Sequence, residues 1–249
     1  MRPKPLLRLL RSVQEQSLYP DEILVVDGST NSETRIVLVE NTFKNLTYFL
    51  VPKEYRGLTR QRNYGVDKAS ETSDMIAFVD DDTELTPNYF EELVRTFVAD
   101  KTIFGVGGVA LNENSWVLTE PNKQYNKYHF FQFDKFVYKE GKRNVVRNYL
   151  RLQSNLEPGK MPDYSHGRTC GFPLDGKIYK VDLLIGMSFA FRKIVFDSIQ
   201  FSSYFEGYGL YEDADFSIRA LQFGSNVINT KVQLNHYHDA SGRPNQYQY

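Results

Sequence analysis

Three consecutive aspartates, Asp80, Asp81 and Asp82, directly follow the apolar run Met75–Val79. An apolar run that ends in acid predicts a buried parallel strand whose C-terminal end delivers carboxylates into a crevice. Because adjacent carboxylates repel one another, the pattern favours a site that holds a compensating cation. Hard oxygen ligands suit Mg²⁺ or Mn²⁺, and Mg²⁺ usually binds together with substrate phosphates. The alternative is a solvated acidic turn before a helix that is predicted to begin near Pro87.

A second acidic cluster, Glu212, Asp213 and Asp215, stands at the start of another predicted helix. The helix dipole favours carboxylates in a first turn, so capping explains part of this cluster. Capping alone does not require three acids within four residues, which makes the cluster a candidate for chemistry. Farther along the chain, the two-residue period of a predicted strand points His236 and His238 to the same face.

These groups need a scaffold, and residues 1–111 alternate between predicted strands and helices. Asp27 ends the first strand and precedes a capped helix, which is typical of a βα turn in a parallel sheet. Arg60 and Arg62 lie on the helix that follows the second strand. Ligands of such sheets collect at the C-terminal ends of the strands, where the candidate acids lie. The predicted strands span 23–26, 48–51, 75–79 and 106–109, and the predicted helices span 5–16 and 58–69.

Residues 112–180 do not continue this alternation and are rich in aromatic and basic side chains. The stretch 130–151 predicts a surface that meets an anionic membrane or a phosphorylated acceptor. The alternative is a solvated basic helix whose aromatic side chains face the core. Order returns with a predicted strand over 183–191, a helix over 192–198 and a strand over 232–234. From residue 135 to residue 151, one acid, Glu140, accompanies six basic residues: Lys135, Lys139, Lys142, Arg143, Arg147 and Arg151.

The whole chain has 249 residues, a formal net charge of −1 and 41% hydrophobic residues. These values predict one domain over 1–249 that can bury a sizeable core. A net charge near zero gives no basic field for nucleic acid. No apolar stretch approaches the ~20 residues that a membrane span needs, and no signal peptide opens the chain. We therefore expect a cytoplasmic protein, peripheral at most to the inner face of the cell membrane.

The order of five motifs resembles the family 2 glycosyltransferases of GT-A fold. Each motif is weak alone, whereas five in the family's order over most of the chain are specific. The resemblance implies an α/β, Rossmann-like fold with a central, mostly parallel sheet flanked by helices. It also implies a nucleotide-sugar-binding half over about 1–111 and an acceptor-binding and catalytic half over about 112–249. The motifs are Asp27-Gly28-Ser29-Thr30, Arg60-Gln61-Arg62-Asn63, Asp80-Asp81-Asp82, Gly186-Met187 with Arg192, and Glu212-Asp213.

The resemblance further implies a nucleotide-diphosphate sugar as the donor. Asp27 looks like the acid that contacts the base or ribose. Arg62 looks like a partner of the nucleotide half, with Arg60 near enough to compete. Asp82 matches the direct ligand of a Mg²⁺ or Mn²⁺ ion that bridges the two phosphates. The remaining two acids of the triplet also fall in the donor site, and Asp80 faces the ribose or the metal shell.

The catalytic half is implied in the same way. Asp213 matches the catalytic base, and Glu212 stands beside it. His236 fits the histidine that completes the metal shell, while His238 is the alternative on the same face and an ordinary histidine is the other interpretation. The implied reaction inverts the sugar's anomeric carbon and uses a polysaccharide or lipid-linked saccharide as acceptor. A homo-oligomer is a further expectation.

One departure from the family concerns the start of the chain. Members normally begin with a strand that helps to hold the nucleotide base, and this chain starts just past where that strand would end. We therefore expect a missing first strand and an unpaired sheet edge that invites another chain. This leaves open a nucleotide-sugar-binding module without turnover. A Mg²⁺-dependent phosphatase of the haloacid dehalogenase type is disfavoured, because its motif needs Thr or Val where Glu84 stands.

Overall fold

The computed structural model describes residues 2–164, 167–168, 171–205 and 209–238. Among these residues, no helix combines the length and the apolar character that crossing a membrane requires. The helices are α1 (Pro3–Gln14), α2 (Glu33–Glu40), α3 (Leu58–Lys68), α4 (Tyr89–Ala99), α5 (Lys142–Tyr149) and α6 (Glu212–Ala220). The strands are β1 (Ile23–Asp27), β2 (Leu46–Leu50), β3 (Met75–Val79), β4 (Thr83–Leu85), β5 (Ile103–Ala110), β6 (Val117–Leu118), β7 (Phe130–Phe133), β8 (Phe136–Lys139), β9 (Ile178–Val181), β10 (Ser188–Arg192) and β11 (Ser225–His236).

The largest sheet has six strands, five of them in the order β3-β10-β5-β11-β4. The sixth strand, β9, pairs with the first part of β11, whereas β4 pairs with its last part. Strand β11 runs parallel to β5, and β10 runs antiparallel to both β3 and β5. Two smaller sheets are the parallel pair β1-β2 and the antiparallel set β6-β8-β7.

The α/β architecture is as predicted, but the strand directions in the large sheet are mixed. The parallel direction predicted for β3 is not found, because its neighbour β10 runs antiparallel to it. The chain reaches β10 only after the long excursion through 112–187, so the direction of β10 is not set by a short βαβ connection. Among the described residues, β1 pairs with β2 alone and β3 with β10 alone.

Several predicted boundaries shift for local reasons. Helix α4 begins at Tyr89 instead of Pro87, because both the backbone N–H and the hydroxyl of Thr86 donate to the Gln233 carbonyl of β11. The strand predicted over 183–191 is only β10, and the helix predicted over 192–198 is the 3₁₀ turn Lys193–Asp197. The irregular stretch holds β6, β7, β8, α5 and β9. Of these, only α5 was anticipated, as the basic helix offered as the alternative interpretation of residues 130–151.

An aromatic core anchors α6, the helix that begins with the second acidic cluster. Phe216 is fully buried and stacks on Phe201, with ring centroids 4.2 Å apart. Phe191 of β10 meets the same ring edge-on at 4.8 Å, and Phe196 stacks on it at 5.3 Å. These contacts fix the helix, and with it the start of the helix, against the large sheet.

Replacing Phe216 by Ala should therefore be costly. We expect a loss of about 3–5 kcal/mol in the free energy of unfolding, because a ring is removed from a close-packed core. Urea denaturation followed by circular dichroism measures this loss. The matched control is Ile218→Ala, since Ile218 lies on the same helix but is 40% exposed. Equal losses for the two variants would show that the aromatic core does not anchor α6.

Candidate active site

One cavity of about 570 Å³ gathers candidate side chains from elements far apart in the sequence. Its lining includes Arg62 of α3, Asp80 after β3, Glu212 and Asp213 of α6, and His236 at the end of β11. All five residues were candidates from the sequence. The fold therefore brings both acidic clusters and the histidine to one place.

The turn after β3 is fixed by backbone contacts on both sides. Asp80 donates its N–H to the Met187 carbonyl at 3.2 Å, and Thr83 donates its hydroxyl to the Asp80 carbonyl at 2.8 Å. Strand β4 then pairs with the end of β11, which sets His236 opposite Thr83. As a result, His236 Nε2 lies 3.3 Å from Oδ1 of the adjacent Asp82.

Asp80, Asp82 and His236 form a cluster with the properties of a cation site. Their ligand atoms all lie within 4.8 Å of one another. Desolvation raises the pKa of Asp80, and the Arg62 guanidinium opposes this rise. The Asp80 side chain is 39% exposed and lines the cavity. Two carboxylates and an imidazole supply hard oxygen donors and one nitrogen, a set that fits Mn²⁺ or Mg²⁺. A divalent cation at this place would favour the charged form of Asp80, which burial and the neighbouring Asp82 carboxylate disfavour.

His236 lies between two carboxylates. Its Nδ1 is 2.8 Å from Oε1 of Glu113, on the ring side opposite Asp82. The Asp82 and Glu113 carboxylates raise the pKa of His236 to about 9. His238 Nε2 lies 2.7 Å from the same Glu113 oxygen, so this second histidine sits one step farther from Asp82.

Part of the charge on the three aspartates is balanced by a protein cation. The Arg2 guanidinium forms an ion pair with Asp81, and its Nη1 lies 3.0 Å from Oδ2 of Asp82. The Arg2 backbone N–H also donates to Asp81 at 3.1 Å. Asp81 does not belong to the cluster of Asp80, Asp82 and His236, so the structure separates it from the other two acids of the triplet.

Arg62 connects the two acidic clusters. It forms a buried ion pair with Glu212, donates to the Gly186 carbonyl at 3.1 Å and lies 3.8 Å from Asp80 Oδ1. The sequence had suggested a nucleotide contact for Arg62, whereas the structure gives its guanidinium two carboxylate neighbours within the protein. Three aromatic rings lie within 6 Å of the guanidinium carbon, at 4.8, 5.3 and 5.8 Å: Phe189, Phe201 and Phe78.

The start of α6 holds two carboxylates in different surroundings. Asp213 accepts a hydrogen bond from the Gly186 N–H at 2.9 Å and one from the Ala214 N–H at 2.8 Å. Glu212 is 4% exposed, and its Oε2 has no hydrogen-bond partner among the described residues. Burial raises the pKa of Glu212 to about 7, although the Arg62 guanidinium acts in the opposite direction. The Gly186-Met187 motif thus contacts both the triple-aspartate turn and the second acidic cluster.

Another part of the cavity lining comes from residues that the sequence had not indicated as site residues. It includes Trp116, Tyr138 and Phe172 from the 112–180 stretch, and Tyr211 before α6. The indole N–H of Trp116 donates to the Gly171 carbonyl, which fixes the ring. Glu113 was missed as well, since a single acid after β5 gives no motif. Only the strand pairing places these side chains near the acids.

Besides Asp81, two further predicted donor-site residues lie outside the cavity lining. Asp27 is fully buried and accepts hydrogen bonds from the Ser29 N–H at 2.8 Å and the Tyr48 hydroxyl at 2.9 Å. Burial acts to raise the pKa of Asp27, but these hydrogen bonds hold it below its usual value. Arg60 donates to a backbone carbonyl in the loop before α3 at 2.9 Å. Their predicted contacts with a nucleotide stay predictions.

The chain has the GT-A fold. A crystal structure of GalNAc-T7 with UDP, GalNAc and Mn²⁺ superposes with a TM-score of 0.60 at 16% identity. The match covers 98% of this chain and 43% of that one. At this identity the likeness shows the fold, and it confirms the α/β GT-A architecture expected from the motifs.

The chain belongs to glycosyl transferase family 2, whose model matches residues 1–161. It is 33% identical over 245 residues to EpsH of Bacillus subtilis (strain 168), which carries a glycosyltransferase name. It is also 30% identical over 115 residues to a glucosyl-dolichyl phosphate glucuronosyltransferase of Haloferax volcanii. These matches cover 92% and 45% of this chain, and 55% and 34% of the relatives. The chain therefore spans about half or less of the length of these relatives.

Proposed function

We propose that this glycosyltransferase moves a sugar from a nucleotide-diphosphate donor to a polysaccharide or lipid-linked saccharide, with inversion and with a divalent cation. The observation that supports this most is one cavity lined both by Asp80 and His236 of the cation cluster and by Asp213. Arg62 lies in the same cavity, between Asp80 and Glu212. A cation site and a carboxylate base within one cavity match the two demands of sugar transfer. The leaving diphosphate must be stabilised, and the attacking hydroxyl must lose its proton.

Asp213 is the proposed base. The hydrogen bond from the Gly186 N–H orients its carboxylate at the cavity wall, and lone pairs remain to accept a proton. As the acceptor oxygen bonds to the anomeric carbon, the bond from that carbon to the diphosphate breaks, and its electron pair leaves with the diphosphate. The proton of the hydroxyl passes to Asp213. A single displacement of this kind inverts the carbon and needs no enzyme nucleophile.

Asp82, Asp80 and His236 are the proposed metal ligands. When bound, Mg²⁺ or Mn²⁺ acts as a Lewis acid that offsets the charge on the diphosphate. The antiparallel pairing of β4 with β11 holds Asp82 and His236 in place before any ligand arrives. Such preorganisation reduces the ordering that the donor must cause.

Glu212 is proposed to bind a sugar hydroxyl. Buried polar atoms are nearly always hydrogen-bonded, so the unpartnered Oε2 points to a ligand donor in the cavity. Arg62 holds the other carboxylate oxygen of Glu212 and prevents the group from turning away. Glu212 would then orient the sugar while the adjacent Asp213 takes the proton.

We further propose that residues 1–111 bind the donor and residues 112–249 bind the acceptor. On the donor side, Asp27, Arg60 and Asp81 are proposed to serve the nucleotide end, beyond the described cavity lining. The lipid-linked acceptor is supported by the Haloferax volcanii relative, whose name includes a dolichyl phosphate. We also propose that the protein acts at the cytoplasmic face of a membrane and that several copies assemble.

A thermal-shift screen of nucleotide sugars, with Mn²⁺ and with EDTA, tests the donor assignment. At a concentration about 100 times the Kd, a bound donor stabilises the fold by about 2.7 kcal/mol. For a chain of this size, that raises the Tm by roughly 5–10 °C. We expect one donor class to produce such a rise with Mn²⁺ only. No rise with any nucleotide sugar would contradict the proposed function.

We expect Glu113 to strengthen metal binding through His236 without contacting the donor. We expect Glu113→Ala to weaken Mn²⁺ binding about tenfold, because a carboxylate beside the distal nitrogen of a ligating histidine orients the ring. Isothermal titration with Mn²⁺ alone measures this effect. The control is Glu120→Ala, since Glu120 forms an exposed ion pair with Lys123 in the same stretch. Unchanged Mn²⁺ affinity in Glu113→Ala would rule out this role.

A further inference from the structure

Helix α5 presents its apolar side to solvent. No residue of α5 is buried. Val146, Tyr149 and Leu150 share one helix face at i, i+3 and i+4, and they are 57%, 55% and 63% exposed. Leu152 follows directly after the helix and is 50% exposed. Four large apolar side chains therefore lie on the outside of this part of the chain.

The polar side of α5 faces the protein instead. Asn144 donates to the Glu140 carboxylate at 2.9 Å, and Asn148 donates to the Tyr128 carbonyl at 3.0 Å. A surface helix of a globular protein normally buries its apolar stripe and exposes its polar residues. The orientation of α5 is the reverse. An exposed apolar face of this kind marks a contact with something outside the chain.

All exposed charges from residue 139 to residue 151 have one sign. The acid of the stretch, Glu140, is buried in an ion pair with Arg168. The exposed charges are therefore basic, in a chain whose net charge is only −1. They are Lys139, Lys142, Arg143 and Arg151. A basic apolar surface complements anionic lipid headgroups, whose phosphates attract Lys and Arg while apolar side chains enter the acyl boundary.

We propose that this docking face binds an anionic bilayer surface. The docking face is defined as the apolar residues Val146, Tyr149, Leu150 and Leu152 together with the basic residues Lys139, Lys142, Arg143 and Arg151. The helix lies in the plane of the interface, with its Asn side toward the protein. The contact is peripheral and depends on both the apolar side chains and the charges.

In the sequence, the docking face directly follows residues that line the active-site cavity. Tyr138 and Lys139 of β8 line that cavity, and α5 begins at Lys142. Docking would bring this wall of the cavity to the bilayer, where the sugar of a lipid-linked acceptor is presented. This link to the acceptor rests on the proposed function, whereas the docking itself does not.

Vesicle co-sedimentation of the full 249-residue chain tests the proposal. The vesicles contain phosphatidylcholine alone or phosphatidylcholine with phosphatidylglycerol. We expect binding to the anionic vesicles only, weakened by added salt because charges at a surface are screened. Val146→Glu with Leu150→Glu, and separately Lys142→Glu with Arg143→Glu, should each lower the bound fraction roughly tenfold or more.

Matched variants on other elements serve as controls. Ile36→Glu with Val39→Glu changes an equally exposed apolar pair on α2, and Lys68→Glu with Lys101→Glu changes two exposed basic residues. These variants should bind like the wild type. Donor-induced thermal shift should be unchanged in all variants, which separates loss of docking from loss of the proposed function or of folding.

Three results would overturn the proposal. The first is wild-type binding that is absent or equal on neutral vesicles. The second is equal loss in the docking-face variants and in the controls. The third is a concentration-dependent dimer that Val146→Glu with Leu150→Glu dissociates, without vesicle binding by the wild type. That last result would assign the face to a second copy of the chain.

Discussion

Asp213→Asn is expected to lower the rate of sugar transfer by about 10²–10⁴-fold while leaving donor binding close to wild type. The amide keeps the shape of the carboxylate, but it cannot take the proton of the acceptor hydroxyl. Its oxygen can still accept the Gly186 N–H bond, so the start of α6 should stay in place. Initial rates with saturating donor measure the loss, and the donor-induced rise in Tm reports binding.

The matched control for this prediction is Asp215→Asn on the same helix. Asp215 pairs with Arg219 at 2.6 Å and does not line the cavity. Its loss should therefore change the rate little, since a partly exposed ion pair contributes little to the fold. Equal rates for wild type and Asp213→Asn, with donor bound by both, would remove Asp213 from the mechanism.

Asp82→Ala is expected to abolish the metal dependence of donor binding. Metal stabilisation of the departing diphosphate is worth several kcal/mol, so the transfer rate should fall about 10²–10³-fold. The substitution also removes the partner of His236 Nε2, so that Mn²⁺ binding is weakened in the absence of donor. Titration with Mn²⁺ and transfer assays over a range of metal concentrations measure the two effects.

The neighbouring Asp81→Ala is an internal control for charge and position. Asp81 contacts Arg2 and does not belong to the cluster of Asp80, Asp82 and His236. We expect Asp81→Ala to keep most of the Mn²⁺ affinity, although Arg2 then has only Asp82 as a partner in this turn. Identical losses in the two alanine variants would mean that only the net charge of the turn matters.

Several elements that carry the motifs were predicted well, because their patterns are local. Strand β3, helix α3 and the acidic start of α6 appear where the apolar run, the helical segment and the acidic cluster placed them. The convergence of the motifs could be expected from the family resemblance, since the strand ends of such sheets meet at one edge. Those elements account for most of the candidate site.

The rest of the site depends on contacts that no local pattern records. Glu113 reaches His236 only because β5 and β11 run side by side in the large sheet. The wall formed by Trp116 and Tyr138 depends on the pairing of β6 with β8. Likewise, the inverted orientation of α5 follows from hydrogen bonds made by Asn144 and could not be read from its amphipathic pattern.

The charge argument from the sequence was also incomplete. Adjacent carboxylates suggested a metal because no neighbouring cation was visible along the chain. In the structure, Arg2 lies against Asp81 and Asp82, and Arg62 lies near Asp80. Protein cations therefore offset part of the repulsion, and the stronger argument for a metal is the cluster that includes His236.

The most direct test of the account is the release of nucleoside diphosphate from the donor that the thermal screen identifies. The assay combines wild-type chain, donor and saccharide or lipid-linked acceptors, with Mn²⁺ or with EDTA. We predict release that requires Mn²⁺ and is lost in Asp213→Asn, a variant that still binds the donor. Donor binding without release by the wild type, whichever acceptor is present, would contradict the account and identify a nucleotide-sugar-binding module.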